Sequence, residues 1–309
     1  MTTRPRSRLL RSVLAGGTLF CGLLVVAEIA TRQLGLLDFP LYEANADIGY
    51  VPKPNQQGAF LNKNDWQFNS RSMGAPEFVP GPGPNVLLVG DSIVDGGNPY
   101  RQQERLGPRT QKALEQSGVK VWPIAAGSWS LRNELKWLQR NPDVVQRVDE
   151  VVFLLGSNDF GDASSWSCEF SHPRSHPTSS LWFLFNKYVY RLESCGTPPA
   201  ALKVPQGDVH AELERFISAF GNKTTVVLYP TVEESRNPAE RARSFEPARQ
   251  LLRSVGVKDP VSIADDARWS PDCYKDSVHP KPSAMPVLAD ILAPHILARV
   301  EAVRREAEY

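Results

Sequence analysis

No sign of charge dominates this chain. Its 35 Lys and Arg face 34 Asp and Glu, for a formal net charge of +1. Without a basic excess there is no electrostatic footprint for nucleic acid, and none is expected as a partner. Internal repeats are lacking, as is a low-complexity tail, so a repeat architecture is excluded. Cysteine is scarce, with four in 309 residues. Cys21 lies in an apolar stretch behind Phe20, which is too large for a lipoprotein processing site, so no lipidation is expected there. That leaves Cys168, Cys195 and Cys273, enough for one bridge and one spare thiol. Cys168 and Cys195 flank one long segment and are the first choice of pair; Cys273 is the rival partner, since spacing does not fix connectivity.

Long apolar runs are lacking too, with one exception. Arg4, Arg6, Arg8 and Arg11 precede residues 12–27, which carry no charge; Glu28 interrupts the stretch, and residues 29–31 continue it to Arg32. Basic residues ahead of an apolar run place the amino terminus in the cytoplasm. Counted to Thr31, the run approaches the ~20 residues of a membrane span. The alternative is a signal peptide cleaved after Val25-Val26-Ala27. Either way the rest of the chain is expected outside the cytoplasm, periplasmic and anchored in a bacterial membrane, or secreted if the segment is removed.

What the chain has in quantity is proline, 26 residues, which suits ordered irregular connections rather than a helical bundle. Residues 1–32 are expected to be the anchor or signal segment, 33–84 an irregular membrane-proximal lead-in, and 85–309 the folded domain. In the domain, nearly continuous apolar strands (85–89, 119–126, 148–155, 224–229, 261–264) alternate with helical patterns (101–116, 131–139, 211–220, 239–255 broken near Pro247, and 286–307). That alternation predicts a parallel sheet covered by helices on both faces. An insertion at 161–207, rich in Ser, Pro, His and aromatics, follows a strand end, and residues 181–192 are an amphipathic helix candidate. Burial within the insertion is the expectation for Trp166, Trp182, Phe183, Phe185 and Tyr188.

Four segments sit at or just after the carboxyl ends of predicted strands, where open α/β sheets bind ligands. They are Gly90-Asp91-Ser92, Ala125-Ala126-Gly127-Ser128-Trp129-Ser130, Gly156-Ser157-Asn158-Asp159 and Asp276-Ser277-Val278-His279-Pro280. Together they hold the parts for acyl transfer. A serine hydroxyl is a weak nucleophile until an imidazole takes its proton, and a carboxylate on the far ring nitrogen fixes the tautomer. Asp276 and His279, three apart, can meet locally. The oxyanion needs preorganised donors: the Ser92 N–H, an N–H of the second segment and the Asn158 side-chain amide. Asp91 and Asp159 are expected to serve their local turns, Asp159 as a cap on a following helix. Glu233 and Glu234 read as solvated loop charges. Cys168, His172 and His176, four apart, invite a metal reading, but Pro173 and Pro177 break any helix that would align them, and no metal is assigned.

Gly90-Asp91-Ser92 with Gly96, Gly156-Ser157-Asn158-Asp159 and Asp276-x-x-His279-Pro280 resemble, in order and spacing, three conserved blocks of the SGNH (GDSL) hydrolases. The resemblance covers roughly residues 85–300. It implies a three-layer α/β/α sandwich with a flavodoxin-like parallel sheet, Ser92 as nucleophile, His279 as base, Asp276 as its orienter and Asn158 as an oxyanion donor, with no cofactor. The chain departs from the family in one block, which has Asn and then, five residues on, a Gly whose N–H enters the oxyanion hole. Here those positions are Ala125 and Ser130, so Ser130 is the expected backbone donor and Gly127 the alternative. The stretches 47–55 and 69–74 also look like the preamble of bacterial membrane-anchored members. The expected activity is removal of a short acyl group, acetyl first, from a glycan or envelope metabolite. The alternatives are a glycan O-acyltransferase with the same triad, or a catalytically silent polysaccharide-binding or assembly protein.

Overall fold

The computed structural model describes residues 6–190 and 195–307. Arg4 of the basic cluster, and Arg191 and Leu192 at the end of the predicted 181–192 helix, lie outside the described residues. Helix α1 (Arg6–Gln33) holds the apolar stretch, and none of its most apolar window is buried by the rest of the chain. The irregular lead-in is a correction: it forms two antiparallel hairpins, β1 (Tyr42–Asn45) with β2 (Gly49–Pro52), and β3 (Gln56–Phe60) with β4 (Asn64–Phe68). Strands of four or five residues rich in Asn and Gln lack a readable alternation. The first hairpin is held instead by long-range packing, since Tyr42, Ile48, Tyr50 and Val51 join the main core, and the second by Trp66 Nε1–H to the Asp38 carbonyl and the Gln67 N–H to Gln102 Oε1.

That core surrounds a five-stranded parallel sheet of β5 (Asn85–Gly90), β6 (Lys120–Ala125), β7 (Glu150–Leu155), β8 (Thr224–Leu228) and β9 (Val261–Ser262), ordered β6-β5-β7-β8-β9. Every residue of β5 and β7 is buried, as expected for strands covered on both faces. Alternate side chains divide between the faces. Val86 and Leu88 pack with α2 (Ser92–Asp95), α3 (Leu106–Ala113) and α10 (Met285–Ala307). Leu87 and Val89 pack with α4 (Leu131–Arg140), α5 (Pro142–Arg147), α7 (Val209–Phe220) and α9 (Pro238–Ser254). The expected three-layer sandwich is therefore present. Among the described residues the insertion contributes α6 (Ser180–Leu184), continued by a π-helical turn, and a short 3-10 turn at Ala200–Leu202, and α8 (Val232–Arg236) follows β8. Helix α9 runs unbroken through Pro247; Pro247 is on the exposed side, where water can take the carbonyl that its missing N–H leaves free.

The order β6-β5-β7-β8-β9 is the flavodoxin-like 2-1-3-4-5, and its crevice lies between the first and third strands at their carboxyl ends. Pairing sets Gly90 level with Ala125 on one side and Leu154 on the other. The turns after β5, β6 and β7 therefore open at one height.

Candidate active site

Ser92 is the first residue of α2, directly after β5. Two features make this turn possible. A methyl group on Gly90 would come within 2.6 Å of the Val94 side chain, so only glycine lets the helix fold back against its strand. Gly96 ends the helix at φ 78°, a left-handed conformation in which glycine carries no Cβ penalty. Asp91 caps α2, accepting the Ile93 N–H at 2.8 Å, and its other oxygen lies 3.3 Å from Ser92 Oγ. Loss of water raises the Asp91 pKa, with backbone N–H groups and His279 opposing. As expected, Asp91 serves the turn.

His279 arrives from the far end of the chain. The Ser92 hydroxyl lies 3.0 Å from His279 Nε2, and Nδ1 of the same ring is 3.0 Å from each oxygen of Asp276. A carboxylate on Nδ1 requires the proton there, which leaves Nε2 to accept from the serine. Burial acts to raise the Asp276 pKa. The N–H groups of His279 and Val278 and the ring itself more than offset it, holding the carboxyl below its ordinary value. The loop is pinned from beneath: Tyr229 Oη–H donates to the Val278 carbonyl at 2.9 Å, Tyr100 Oη–H donates to the Pro280 carbonyl, and the Val232 N–H donates to the Ser277 carbonyl at 2.9 Å. The site is open, with Asp276 exposed and His279 half-buried.

Fold and triad now agree: the serine follows the first strand, at the switch point, and the Asp–His pair comes after the last. This is the arrangement that the resemblance to the SGNH hydrolases implies. No family model matches the chain, and no curated protein matches it. Solved structures similar to it include TesA, with 17% identity, a TM-score of 0.41, and coverage of 70% of this chain and 99% of that one. The psychrotrophic esterase EstA from Pseudoalteromonas sp. is similar at 16% identity and a TM-score of 0.42, covering 70% of this chain and 98% of that one. A catalytic mutant of Axe2, an acetylxylan esterase from Geobacillus stearothermophilus, has 15% identity and a TM-score of 0.40, covering 71% of this chain and 95% of that one.

The expected oxyanion donors fare differently. Asn158 is exposed in the turn after β7, and its side chain has no hydrogen-bond partner among the described residues. The Ser130 expectation is corrected. Its N–H donates to Asn133 Oδ1 at 3.0 Å, within the capping box that starts α4, so it has no free proton to offer an oxyanion. Gly127 is nearer the chemistry: a methyl group placed on it would sit 4.0 Å from Ser92 Cβ. The N–H groups of Gly127 and Ser128 meet no acceptor among the described residues, whereas the Gly127 carbonyl is held twice. Tyr50 Oη–H donates to it at 2.7 Å and the His172 ring, through Nε2, at 3.1 Å. Residues 126–129 form a turn closed by Trp129 N–H to the Ala126 carbonyl at 3.2 Å, with Ser128 at φ 61°. A planar trans peptide carries its N–H opposite its C=O, so the two donors on the Gly127 carbonyl also fix where the Ser128 N–H points.

Tyr50 comes from the lead-in and His172 from the insertion, and no local pattern signals either role; the spacing of His172 from Cys168 and His176 suggests only a metal ligand, which Pro173 and Pro177 argue against. Burial, with the nearby Lys187 charge adding to it and the Gly127 carbonyl opposing, lowers its pKa to about 4. The ring is therefore neutral at pH 7 and, through Nε2–H, a donor. It packs against Tyr50 with centroids 3.9 Å apart and ring planes tilted by 31°. Asn133 ties the same parts together: its amide donates to the Ile48 and Ser164 carbonyls, and its oxygen accepts the Ser164 N–H at 2.8 Å. Cys168 is bonded to Cys195, the expected pair, and Cys273 is free. His176 packs on Phe39.

Two acidic expectations are also corrected. Asp159 caps no following helix; its Oδ2 accepts the Gly156 N–H at 2.6 Å, closing its own turn. Burial, then the Asp91 charge, pushes its pKa up to about 8. Glu234 is buried rather than solvated; it completes the capping box of α8 and accepts the Ser157 hydroxyl at 2.7 Å. Behind them lies Glu134, fully buried with both oxygens unpartnered among the described residues. Burial, then Asp159 and Asp91, holds its pKa well above the ordinary value.

Proposed function

We propose that the protein is a membrane-anchored extracytoplasmic serine esterase that removes a short acyl group, acetyl first, from a glycan or envelope metabolite. The observation that carries the reading is the hydrogen-bonded run from Ser92 Oγ through His279 to Asp276, each link at 3.0 Å. In this reading Ser92 attacks the ester carbonyl while His279 takes its proton. His279 then returns the proton to the leaving alcohol and activates the water that releases the acid. Asp276 holds the ring and stabilises its charged form. The oxyanion is met by the Ser92 N–H, by the Asn158 amide, and by the Gly127 and Ser128 amides in place of Ser130. The open triad suits a small acyl group displayed on a bulky, polar alcohol. The Cys168–Cys195 bond supports an oxidising compartment, in agreement with an amino-terminal anchor.

Purified full-length protein is expected to release acetate from p-nitrophenyl acetate and to be labelled by a fluorophosphonate. Ser92→Ala and His279→Ala should each lower kcat/KM at least about a thousandfold. Acetate transferred to an added oligosaccharide in place of release would move the assignment to an acyltransferase. A wild-type protein that neither turns over nor labels would leave only a binding or assembly role.

A further inference from the structure

The five insertion aromatics expected to pack together do not all do so. Trp166 and Phe183 are buried, but Trp182, Phe185 and Tyr188 are 67%, 45% and 58% exposed, beside exposed Val189 and Tyr190. Large aromatics gathered in one short exposed segment mark an interaction surface. Their placement says with what. Glu28, near the carboxyl end of α1, accepts the N–H groups of Ser180 and Leu181 at 2.7 and 3.0 Å, capping α6 from outside. Arg32 donates to the Thr178 carbonyl at 2.7 Å, and Thr31 bonds to Ser180. Above this polar seam α6 is locked to α1. Below it, Leu24, Val25 and Ile29 of α1 and Leu181, Trp182 and Phe185 line one open apolar groove.

We propose that residues 180–190 are a second membrane-contacting element, seated in the outer interface of the bilayer that α1 crosses. The proposal rests on the anchor reading of α1. A span ending near Thr31 puts Val25 about 9 Å inside that end, at 1.5 Å per residue. The groove shared with Trp182 and Phe185 then opens into the region where acyl chains meet headgroups. Trp and Tyr concentrate at that level because one end of each is apolar and the other polar. An exposed patch continuous with an apolar helix whose most apolar window is left unburied among the described residues is matched by lipid. Two attachment points, unlike one, also fix the tilt of the domain. The insertion that touches lipid is the one that supplies His172 to the Gly127 carbonyl, so the height of Ser92 above the bilayer would be set by the same segment.

The test uses the full chain in phosphatidylcholine–phosphatidylglycerol nanodiscs, with lipids brominated at shallow or deep acyl positions as quenchers. Trp182→Phe identifies the Trp182 emission by difference; the side chain is exposed, so the fold is kept. The expected result is a blue-shifted Trp182 component quenched at least about twofold by shallow bromines and less by deep ones. A chain that co-elutes with the discs while its Trp182 emission stays red and unquenched overturns the second contact and leaves the anchor standing. Burial of Trp182 against a second copy, seen as unquenched blue emission with a doubled protein mass per disc, overturns it as well. A chain that elutes free of discs overturns both this proposal and the anchor.

Discussion

At the scale of single residues, the most informative are two that carry no catalytic motif. The hydroxyl of Tyr50 and the ring of His172 converge on the Gly127 carbonyl, and neither side chain reaches the substrate in the proposed mechanism. They are positioning residues. His172→Ala should lower kcat roughly 10- to 100-fold with little change in KM, because a misaimed donor is lost only in the transition state; His172→Gln, which keeps an N–H, should recover part of that. A thionoester substrate supplies a readout that general loosening would not move. Its sulfur is a poor hydrogen-bond acceptor, so the ester-to-thionoester rate ratio should fall in His172→Ala and hold in His172→Gln. Asp159 gives a second expectation. Its folded pKa of about 8 stands above its ordinary value of 3.8, so between those values the folded chain holds a proton that the unfolded chain has released. Stability from this group is complete below about pH 4 and declines as pH rises toward 8. Melting curves across pH 4–8 should therefore slope less in Asp159→Asn, which still accepts the Gly156 N–H.

At the scale of elements, Ser92, the proposed nucleophile, depends on a strand and a four-residue helix folded back on each other. Gly90→Ala would force its new methyl against Val94, 2.6 Å away, and the turn has little room to yield because Arg105 and Asp95 form a buried ion pair beneath it. We expect a loss of roughly 1–3 kcal/mol by denaturant titration. The fall in turnover should exceed the fall in the folded fraction, since Ser92 moves with the helix. The apolar strands and most helices were legible because their periodicity is local. The two lead-in hairpins were not. The first gains its stability from Tyr42, Tyr50 and Val51 packed on a core formed 35 or more residues later in the chain, and the second is tied by Trp66 to the Asp38 carbonyl and by the Gln67 N–H to Gln102; no window of sequence displays either. Pro247 misled for the opposite reason: the local penalty is real, but an exposed helix face lets water offset it.

At the scale of the whole molecule, the chain joins a long apolar helix to a domain whose site faces the open end of its sheet. If α1 is retained as an anchor, mass spectrometry of the mature protein should recover peptides from residues 12–27, and alkaline carbonate should leave the protein in the membrane pellet. A mature amino terminus after Ala27 would show a cleaved signal instead. Cleavage there would sever the part of α1 facing Trp182 and leave Glu28 and Arg32 at a free end.

The sheet, its helical cover and the four candidate turns are legible in the amino-acid order alone, because each is written in a run of neighbouring residues. It also named Ser92, Asp276 and His279, whose types and order leave little else to assemble. Where the Ser128 N–H points, and so whether it can serve the proposed oxyanion hole, becomes visible only in the folded chain. It depends on the direction of a single peptide plane, set by Tyr50 and His172 from segments 77 and 45 residues away from Gly127. A side chain's identity is visible in its letter; the direction of an N–H is visible only after everything around it has folded.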